Sequence, residues 1–382
     1  MDFSFDRHDE EFRAVARRWL AEHPAPAAGP GRAWERELGA AGWIGLGWDT
    51  PEGRYGNRTA TLTQQVVWAE EYARAGAPSR TGHIGENLLA PTLLAYGTEE
   101  QRDRFLPGIA RGEALWCQGY SEPDAGSDLA GLRTAAVRDG DTYRITGRKI
   151  WTSLARDADW CFVLARTEAG SRRHAGLSFL LVPMDQPGRV EVRPIRQMSG
   201  DSDFNEVLFD GAEARARDVV GGEGAGWRVA MGLLARERGV STLVQQIGFE
   251  AELGRVLREA ATSGAAADDP VLADDLVRQW AELRVMRWNA LCTLGGSGEG
   301  AAPSVSKLLW GGWHRRLGEL AMRVRGAEAV TGPGDWRPGT YPLDDLQRMF
   351  LFGRADTIYG GSDEIQRTII AERVLGLPKE PR

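Results

Sequence analysis

The sequence predicts an α+β fold in which helical segments at both ends of the chain flank a central β domain. Apolar residues recur at helical spacing in the first third, alternate with polar residues in the middle third, and return to helical spacing from about Gly226. Helices and strands are thus segregated along the chain, which is typical of α+β proteins. We expect an N-terminal helical domain over 1–115, a β-barrel-like domain over 116–222 and a C-terminal four-helix bundle over 223–382.

The N-terminal third is predicted to be helical from the spacing of its apolar side chains. A Pro/Ala/Gly-rich segment over 23–31 should interrupt this helical region, because these residues favour turns and breaks. Acidic residues precede the first apolar stretch, where they favour a helix N-terminus. The three stretches with helical periodicity are 12–20, 61–75 and 99–109.

The middle third carries strand patterns. The segments TAAVR and DTYRIT alternate on either side of the Asp-Gly pair at 139–140, which predicts a hairpin with a type I′ turn. Four further runs have the composition of strands: 160–166, 177–184, 190–195 and 205–209. In the last third, four or five long helices are expected. The segments predicted to form flexible loops between them are 261–269, 295–303 and 331–339.

Composition excludes several classes of function. The 382 residues carry a formal net charge of -7, which gives no electrostatic reason to expect nucleic acid or an anionic membrane as partner. The N-terminal segment is acidic and lacks an apolar core, so we expect no signal peptide. No apolar run is long enough to span a bilayer, and the five histidines lack metal-ligand spacing. Cys117, Cys161 and Cys292 lie far apart and form no disulfide framework, which favours a cytoplasmic enzyme.

Three separated motifs point to one family. Residues 117–153 read CQGYSEPDAGSDLAGLRTAAVRDGDTYRITGRKIWTS, residues 205–210 read NEVLFD, and residues 358–376 read IYGGSDEIQRTIIAERVLG. In this order the motifs resemble the acyl-CoA dehydrogenase superfamily over most of the chain. The resemblance implies the same helix–β–helix fold, FAD as cofactor, and dehydrogenation of an acyl thioester to a trans-2-enoyl thioester.

The resemblance also assigns positions to the flavin. It places Ser121 and the backbone near Tyr120 against the flavin ring, and Trp151 beside the isoalloxazine. Ser153 would hydrogen-bond near N5, and Ser127 would lie near the flavin and the acyl carrier or its pantetheine. Taken singly, each has a plainer interpretation, because Ser-Glu-Pro is usually a turn and a strand tryptophan is usually core. The assigned positions in this block are Tyr120, Ser121, Gly126, Ser127, Trp151 and Ser153.

The C-terminal motif lacks the catalytic glutamate that many family members carry directly after its tyrosine. Here Tyr359 is followed by Gly360. Some relatives place the glutamate on the first long helix of the C-terminal domain, where this chain offers Glu237. The resemblance therefore implies Glu237 as the base, with Ser362 and Glu364 at the adenine–pyrophosphate end of FAD.

Helical spacing supports an unusual environment for Glu237. Burial in an apolar stripe would raise the pKa of its carboxyl, as a general base requires. An ordinary ion pair with a neighbouring arginine is the alternative, since glutamate is seldom buried without a partner. The apolar residues that share its helix face are Leu233, Val240, Val244 and Ile247.

The substrate side is assigned by the same resemblance. Arg238 would hold a substrate phosphate or orient the base, although a solvent-exposed charge is an equally good interpretation. The amide of Gly360 would donate to the thioester carbonyl, stabilising the developing enolate in the manner of an oxyanion hole. Tyr359 would also contact substrate. The missing side chain at 360 leads to the hypothesis of a branched or bulky acyl group.

Two family segments that reach the flavin of a neighbouring subunit are degraded. The region expected to read Arg-x-x-Phe-Gly is EAELGRVLREA, and the Gln-x-x-Gly-Gly region is RVRGAEA at 323–329. Homodimer, homotetramer and hetero-oligomer therefore all stay open, with electron-transfer flavoprotein or a similar acceptor as redox partner. A coenzyme A or carrier-protein thioester fits fatty acid or polyketide metabolism. The competing functions are a flavin-dependent oxidase or monooxygenase and a non-catalytic subunit of a hetero-oligomeric dehydrogenase.

Overall fold

A computed structural model describes residues 5–25, 31–236, 240–292, 302–334 and 342–379. The chain divides into two compact units. The larger comprises Arg7–Gln197 and Ser202–Arg238, and the smaller comprises Gly239–Arg382 with Met1–Asp6 and Met198–Asp201. Each unit has its own hydrophobic core. The prediction of helical, β and helical segments in that order is confirmed.

The N-terminal helices surround an aromatic core in the larger unit. The rings of Trp43 and Trp68 stack with their centroids 4.2 Å apart. Thr61 and Thr98 begin two of the helices with capping boxes, in which each threonine side chain accepts from the backbone three residues later. A π-helical turn over Gly85–Leu89 precedes the fourth helix. The helices are α1 (Arg7–Glu22), α2 (Gly31–Ala40), α3 (Leu62–Arg74), α4 (Ala90–Tyr96) and α5 (Glu99–Ala110).

One eight-stranded sheet forms the middle of the larger unit. Its strands are β1 (Trp116–Gly119), β2 (Ala135–Asp139), β3 (Thr142–Ser153), β4 (Trp160–Arg166), β5 (Leu177–Pro183), β6 (Val190–Ile195), β7 (Phe204–Arg215) and β8 (Val219–Val220). Their order in the sheet is β6-β7-β3-β2-β4-β5-β8, with β1 pairing β4 in parallel. The long antiparallel pairing of β3 with β7 carries the C-terminal half of the predicted flavin motif. Every strand run predicted from the sequence is present.

The β2–β3 hairpin is where predicted, but its turn type was wrong. Asp139 pairs with Thr142, so the two turn residues are Gly140 and Asp141 rather than the Asp-Gly pair itself. Of these two, only Gly140 has a positive φ, at 60°. Positive φ at the first central residue alone is the pattern of a type II′ turn, which favours glycine at that position. The difference arises because β2 continues through Asp139.

The C-terminal helices pack mainly in the smaller unit, around a core that includes Phe249, Trp313 and Leu317. The predicted loop over 261–269 was wrong in part, because helix α7 (Val240–Ser263) continues into it and a one-turn helix follows Gly264. The loops predicted at 295–303 and 331–339 lie largely outside the described residues. Among the helices in the described ranges, none is long and apolar enough to cross a membrane. They are α6 (Gly226–Arg236, in the larger unit), α7 (Val240–Ser263), α8 (Ala265–Asp268), α9 (Pro270–Cys292), α10 (Ala302–Arg325), α11 (Asp345–Phe352) and α12 (Asp363–Ile369).

Candidate active site

A buried ion pair holds the Ser-Glu-Pro loop against strand β3. Lys149 Nζ donates to Glu122 Oε1 at 2.8 Å and to the Tyr120 carbonyl at 3.0 Å. The Glu122 carboxylate also accepts from the backbone amides of Arg133 and Thr134, at 2.7 and 2.9 Å, and from the Thr134 hydroxyl at 2.5 Å. Both charged side chains are buried. The two ends of the loop are therefore tied to one carboxylate.

Electrostatics keep that carboxylate ionised. Burial alone would raise the pKa of Glu122, but the attraction of Lys149 and the hydrogen bonds outweigh it and hold the pKa below its ordinary value. Glu122 is therefore a charged anchor and not a general base. Sequence reasoning assigned no role to Glu122 or Lys149. Both stand inside the quoted motifs, but nothing in the sequence shows that they pair across 27 positions.

Three of the predicted flavin residues lie where the Ser-Glu-Pro loop pairs with the end of β3. The amide of Ile150 donates to the Ser121 carbonyl at 2.9 Å, which places Ser121 beside the last residues of β3. The next residue, Trp151, has a φ of 60° and lies at a bulge in the β3–β7 pairing. Its side chain is 57% exposed, with its ring edge-on to Phe204 at 6.2 Å. Ser153 ends the strand, half-buried.

The backbone of Trp151 is costly. A bulky residue with positive φ costs about 1–3 kcal/mol, and such strain is found mainly where function requires a particular geometry. Exposing most of a tryptophan ring to water adds to this cost, since the ring buries a large apolar area when it is covered. A strained and exposed tryptophan beside the Ser-Glu-Pro loop is therefore the strongest structural sign of a ligand site in the larger unit.

The remaining loop positions differ in character. Tyr120 is buried, and its ring packs edge-on against Phe162 and Phe179 at 5.9 and 6.3 Å. The ring of Tyr120 therefore belongs to the hydrophobic core. The Ser-Glu-Pro loop begins directly after it in the chain. Gly126 and Ser127 are exposed, and a Cβ built on Gly126 would meet no atom within 4 Å. The loop backbone at Gly126 is thus open on that side to an approaching ligand.

In the smaller unit, the Tyr359–Gly361 turn requires glycine. Gly360 and Gly361 have φ values of 65° and 83°, in the left-handed region that side-chain-bearing residues avoid. The buried amide of Gln366 donates to both of their carbonyls, at 3.3 and 3.1 Å. Tyr359 is 37% exposed, and its hydroxyl donates to Asp356 Oδ1 at 2.7 Å. The positive φ at position 360 thus explains why glycine occupies it.

The other C-terminal candidates have local partners. The Ser362 hydroxyl accepts from the amide of Ile365 at 3.4 Å and begins α12 as its N-cap. Glu364 is exposed in the first turn of that helix and lies 3.8 Å from Arg367. These roles stabilise the helix and leave the predicted contacts with FAD as predictions.

The predicted base falls outside the described residues, as does Arg238 beside it. The apolar stripe proposed around Glu237 was wrong at one position. Leu233 and Ile247 are buried, but Val244 is 46% exposed. Of these three residues only Val244 is left uncovered, so periodicity alone overstated the width of the buried apolar face.

A histidine between two carboxylates lies behind the Tyr359–Gly361 turn. His314 on α10 contacts Asp356 Oδ2 through Nδ1 at 2.5 Å and Glu252 Oε2 through Nε2 at 2.9 Å. Burial would lower its pKa, but the two carboxylates dominate and raise the pKa to about 9. The imidazolium therefore donates to both. Sequence reasoning missed this group, because its members are 42 and 62 positions apart and follow no pattern.

This charge state makes stability depend on pH. The folded pKa of His314, about 9, lies above its ordinary value of 6.5. Its ion pairs therefore stabilise the fold fully below about pH 6.5, and this stabilisation is lost as the pH rises through about 9. We expect His314→Gln to lower the melting temperature most at pH 6, with a pH-dependent part of roughly 1–3 kcal/mol that disappears by about pH 10. Scanning calorimetry of the wild-type and His314→Gln proteins between about pH 6 and pH 10 measures this difference. A difference in melting temperature that is the same at every pH would contradict the prediction.

Comparison with known proteins defines the class first. Three family models match in succession: the acyl-CoA dehydrogenase N-terminal domain over 6–113, the middle domain over 117–212 and the C-terminal domain over 224–375. The chain belongs to the acyl-CoA dehydrogenase family, whose members are typically FAD-dependent. It is an oxidoreductase of the acyl-CoA dehydrogenase type, acting on CH–CH groups.

The chain is similar to particular members of this family along almost its whole length. The chain is 54% identical to acyl-CoA dehydrogenase IpdE1 of Mycobacterium tuberculosis, over 98% of this chain and 99% of the relative. It is 52% identical to IpdE1 of Mycolicibacterium smegmatis, over 97% and 98%. Among solved structures it matches the Tcur3481-Tcur3483 steroid acyl-CoA dehydrogenase with a TM-score of 0.85 at 30% identity, over the full length of both chains. It matches the ChsE4-ChsE5 complex from M. tuberculosis with a TM-score of 0.82 at 31% identity, also over the full length of both chains.

Proposed function

We propose that this enzyme removes two hydrogens from Cα and Cβ of a ring-bearing acyl-CoA derived from a steroid, giving the trans-2-enoyl-CoA. The observation that carries the proposal is the identity of 54% with IpdE1 along almost the whole of both chains. One structural match is named a steroid acyl-CoA dehydrogenase, which supports a steroid-derived acyl group. Gly360, which carries no side chain in the Tyr359–Gly361 turn, favours a bulky acyl group over a straight one.

The residues at the end of β3 and in the Ser-Glu-Pro loop fit FAD as the cofactor. The exposed ring of Trp151 offers an aromatic face for the isoalloxazine, and Ser121 and Ser153, which lie near it along the backbone, offer hydroxyls as hydrogen-bonding groups. The open backbone at Gly126 and the exposed Ser127 leave room for the phosphates and pantetheine. We assign Ser362 and Glu364 to the adenine–pyrophosphate end by the family motif. FAD, when bound, supplies the acceptor for the hydride that leaves Cβ.

The protein side of the reaction needs a base and an oxyanion donor. Glu237 removes the proton from Cα, because position 360 carries no carboxylate and Glu237 stands where some relatives carry their base. The amide of Gly360 donates to the thioester oxygen while negative charge develops there. Arg238 binds a phosphate of the substrate or orients Glu237, and Tyr359 borders the acyl chain.

We further propose that a second chain of the same fold completes the enzyme. The described face of α9 exposes Val277, Trp280 and Trp288, which lie on one side of the helix. Two indole rings on one exposed face are typical of a protein interface. Two of the structural matches are named as pairs of different chains. Electron-transfer flavoprotein or a similar acceptor then removes the electrons, and the buried thiols of Cys117 and Cys161 fit a reducing cytoplasm.

The decisive experiment is an anaerobic titration of the purified FAD-loaded enzyme with a panel of acyl-CoA thioesters. We expect ring-bearing thioesters to bleach the flavin absorbance stoichiometrically, and straight-chain thioesters to do so much more slowly. Brisk reduction by straight chains with little reduction by ring-bearing ones would contradict the substrate class. A flavin that reacts only after prior reduction and with oxygen would instead identify a monooxygenase. A homomer purified without FAD that gains flavin only with a partner chain would identify a subunit.

A further inference from the structure

The carboxylate of Asp356 is the centre of a buried charged cluster in the smaller unit. Its Oδ2 contacts Nδ1 of His314 at 2.5 Å, and its Oδ1 accepts from the Tyr359 hydroxyl at 2.7 Å. Its backbone carbonyl accepts from Lys307 Nζ. His314 in turn contacts Glu252 at 2.9 Å. We call these five residues the Asp356 cluster.

Burying the charged side chains of the Asp356 cluster costs free energy, because they lose their hydration. Asp356 is 1% exposed, and both cationic side chains, Lys307 and His314, are buried. The Lys307 ammonium lies 3.9 Å from the ring of Trp310 and 4.8 Å from the ring of Tyr359. A buried ion pair seldom adds stability over apolar residues of the same volume. Its use here therefore calls for a reason other than stability, and a fixed geometry is one.

The geometry that the cluster fixes is that of the Tyr359–Gly361 turn. Asp356 precedes Tyr359 by three residues and Gly360 by four. Lys307 Cε lies 3.7 Å from the point where a Cβ of Gly360 would stand, so α10 supports the turn directly. Gln366 holds the same turn from α12 through the two glycine carbonyls. The turn is thus fixed at its tyrosine, at its first glycine and at its carbonyls.

We infer that Asp356 and His314 are positioning residues for the reaction, holding the Gly360 amide and the Tyr359 side chain where the thioester and acyl chain bind. The inference rests on the proposed function, in which that amide stabilises the enolate. An oxyanion donor must be placed before charge develops, and a displacement of about 1 Å can cost about 100-fold in rate. A cluster that only stabilised the bundle would leave the rate and the enolate unaffected.

Asp356→Asn separates these two roles. Asparagine keeps the volume and can still accept from Tyr359, but it removes the charge that orients His314 and the turn. We expect the anaerobic rate of flavin reduction to fall about 10- to 100-fold, with substrate affinity changed less than about threefold. A 3-keto analogue of the best substrate, which binds as an enolate, should show a weaker long-wavelength absorbance with the oxidised flavin. His314→Gln should show the same pattern to a smaller extent.

Asp344→Asn is the matched control. Asp344 pairs with Arg325 and begins α11 in the same unit, but it makes no contact with the Asp356 cluster in the described hydrogen bonds. Its loss should lower stability and leave the reduction rate and the enolate absorbance unchanged. Asp356→Asn and His314→Gln proteins that lose stability but keep the wild-type rate and enolate absorbance would overturn the inference. A wild-type enzyme that no thioester reduces would overturn the proposed function, and the positioning role with it.

Discussion

Glu237→Gln should leave FAD bound and slow its reduction by acyl-CoA by about 100- to 10,000-fold, the usual contribution of a general base. Glutamine keeps the size of the side chain and removes only its capacity to take the α-proton. The position after Tyr359, where many relatives carry their base, is Gly360 with a φ of 65°. The reaction therefore needs a carboxylate elsewhere, and Glu237 is the one the family pattern offers. Stopped-flow absorbance under anaerobic conditions measures the rate.

A glutamate at position 360 is not expected to restore the activity of the Glu237→Gln protein. The positive φ would strain any side chain there, at a cost of about 1–3 kcal/mol. Its Cβ would also stand 3.7 Å from Lys307 Cε, so the carboxylate would be close to a buried ammonium. An adjacent cation lowers the pKa of a carboxyl and weakens it as a base. The matched control for Glu237→Gln is Glu250→Gln. Glu250 lies on α7 and pairs with Arg284 and Arg287 of α9. Unchanged reduction by Glu237→Gln would remove the assignment.

Glu122→Gln should destabilise the larger unit by roughly 3–5 kcal/mol, because it leaves the buried Lys149 ammonium without its counter-charge. For a unit of this size the melting temperature should fall by about 6–20 °C. The loop that carries Ser121 should also loosen, so FAD should dissociate more readily from this variant. Scanning calorimetry and retention of flavin on gel filtration measure the two effects.

A double variant tests whether the lost charge balance is the cause. Glu122→Leu combined with Lys149→Met removes both charges, and it should recover much of the stability lost by Glu122→Gln, since apolar pairs of similar volume often replace buried ion pairs without loss. FAD affinity should stay low in the double variant, because the carboxylate that joins the ends of the loop is missing. Equal destabilisation in the single and double variants would show that the hydrogen bonds, not the charge, dominate.

Much of the fold could be predicted from the sequence because its signals are local. Strands β4 and β6 match the predicted runs at 160–166 and 190–195 to the residue, as continuous apolar or alternating segments bounded by turns. The errors came where a neighbouring element continued, as α7 does through Ser263, or where packing left an apolar residue uncovered, as at Val244. Periodicity measures which face a residue occupies, but not how much of that face the rest of the protein covers.

The site was predicted less completely, for a physical reason. The positions of Ser121, Trp151 and Ser153 were predicted from the motif. The structure places all three where the Ser-Glu-Pro loop pairs with the end of β3. The strain at Trp151 and the links of the Asp356 cluster could not be read from the sequence. They depend on a bulge between β3 and β7 and on residues tens of positions apart. Glu237 and Arg238 stay predictions, since they lie outside the described residues.

The uncovered side of α9 decides how this protein should be produced. Val277, Trp280 and Trp288 present two indole rings and a branched aliphatic group to water when the chain is made alone. Exposed apolar side chains of this kind promote self-association during recombinant expression. Under the proposal of a second chain, co-expression of the two genes in one host should cover these rings as the proteins fold. A higher yield of folded protein with one candidate partner than with the others would then support that partner.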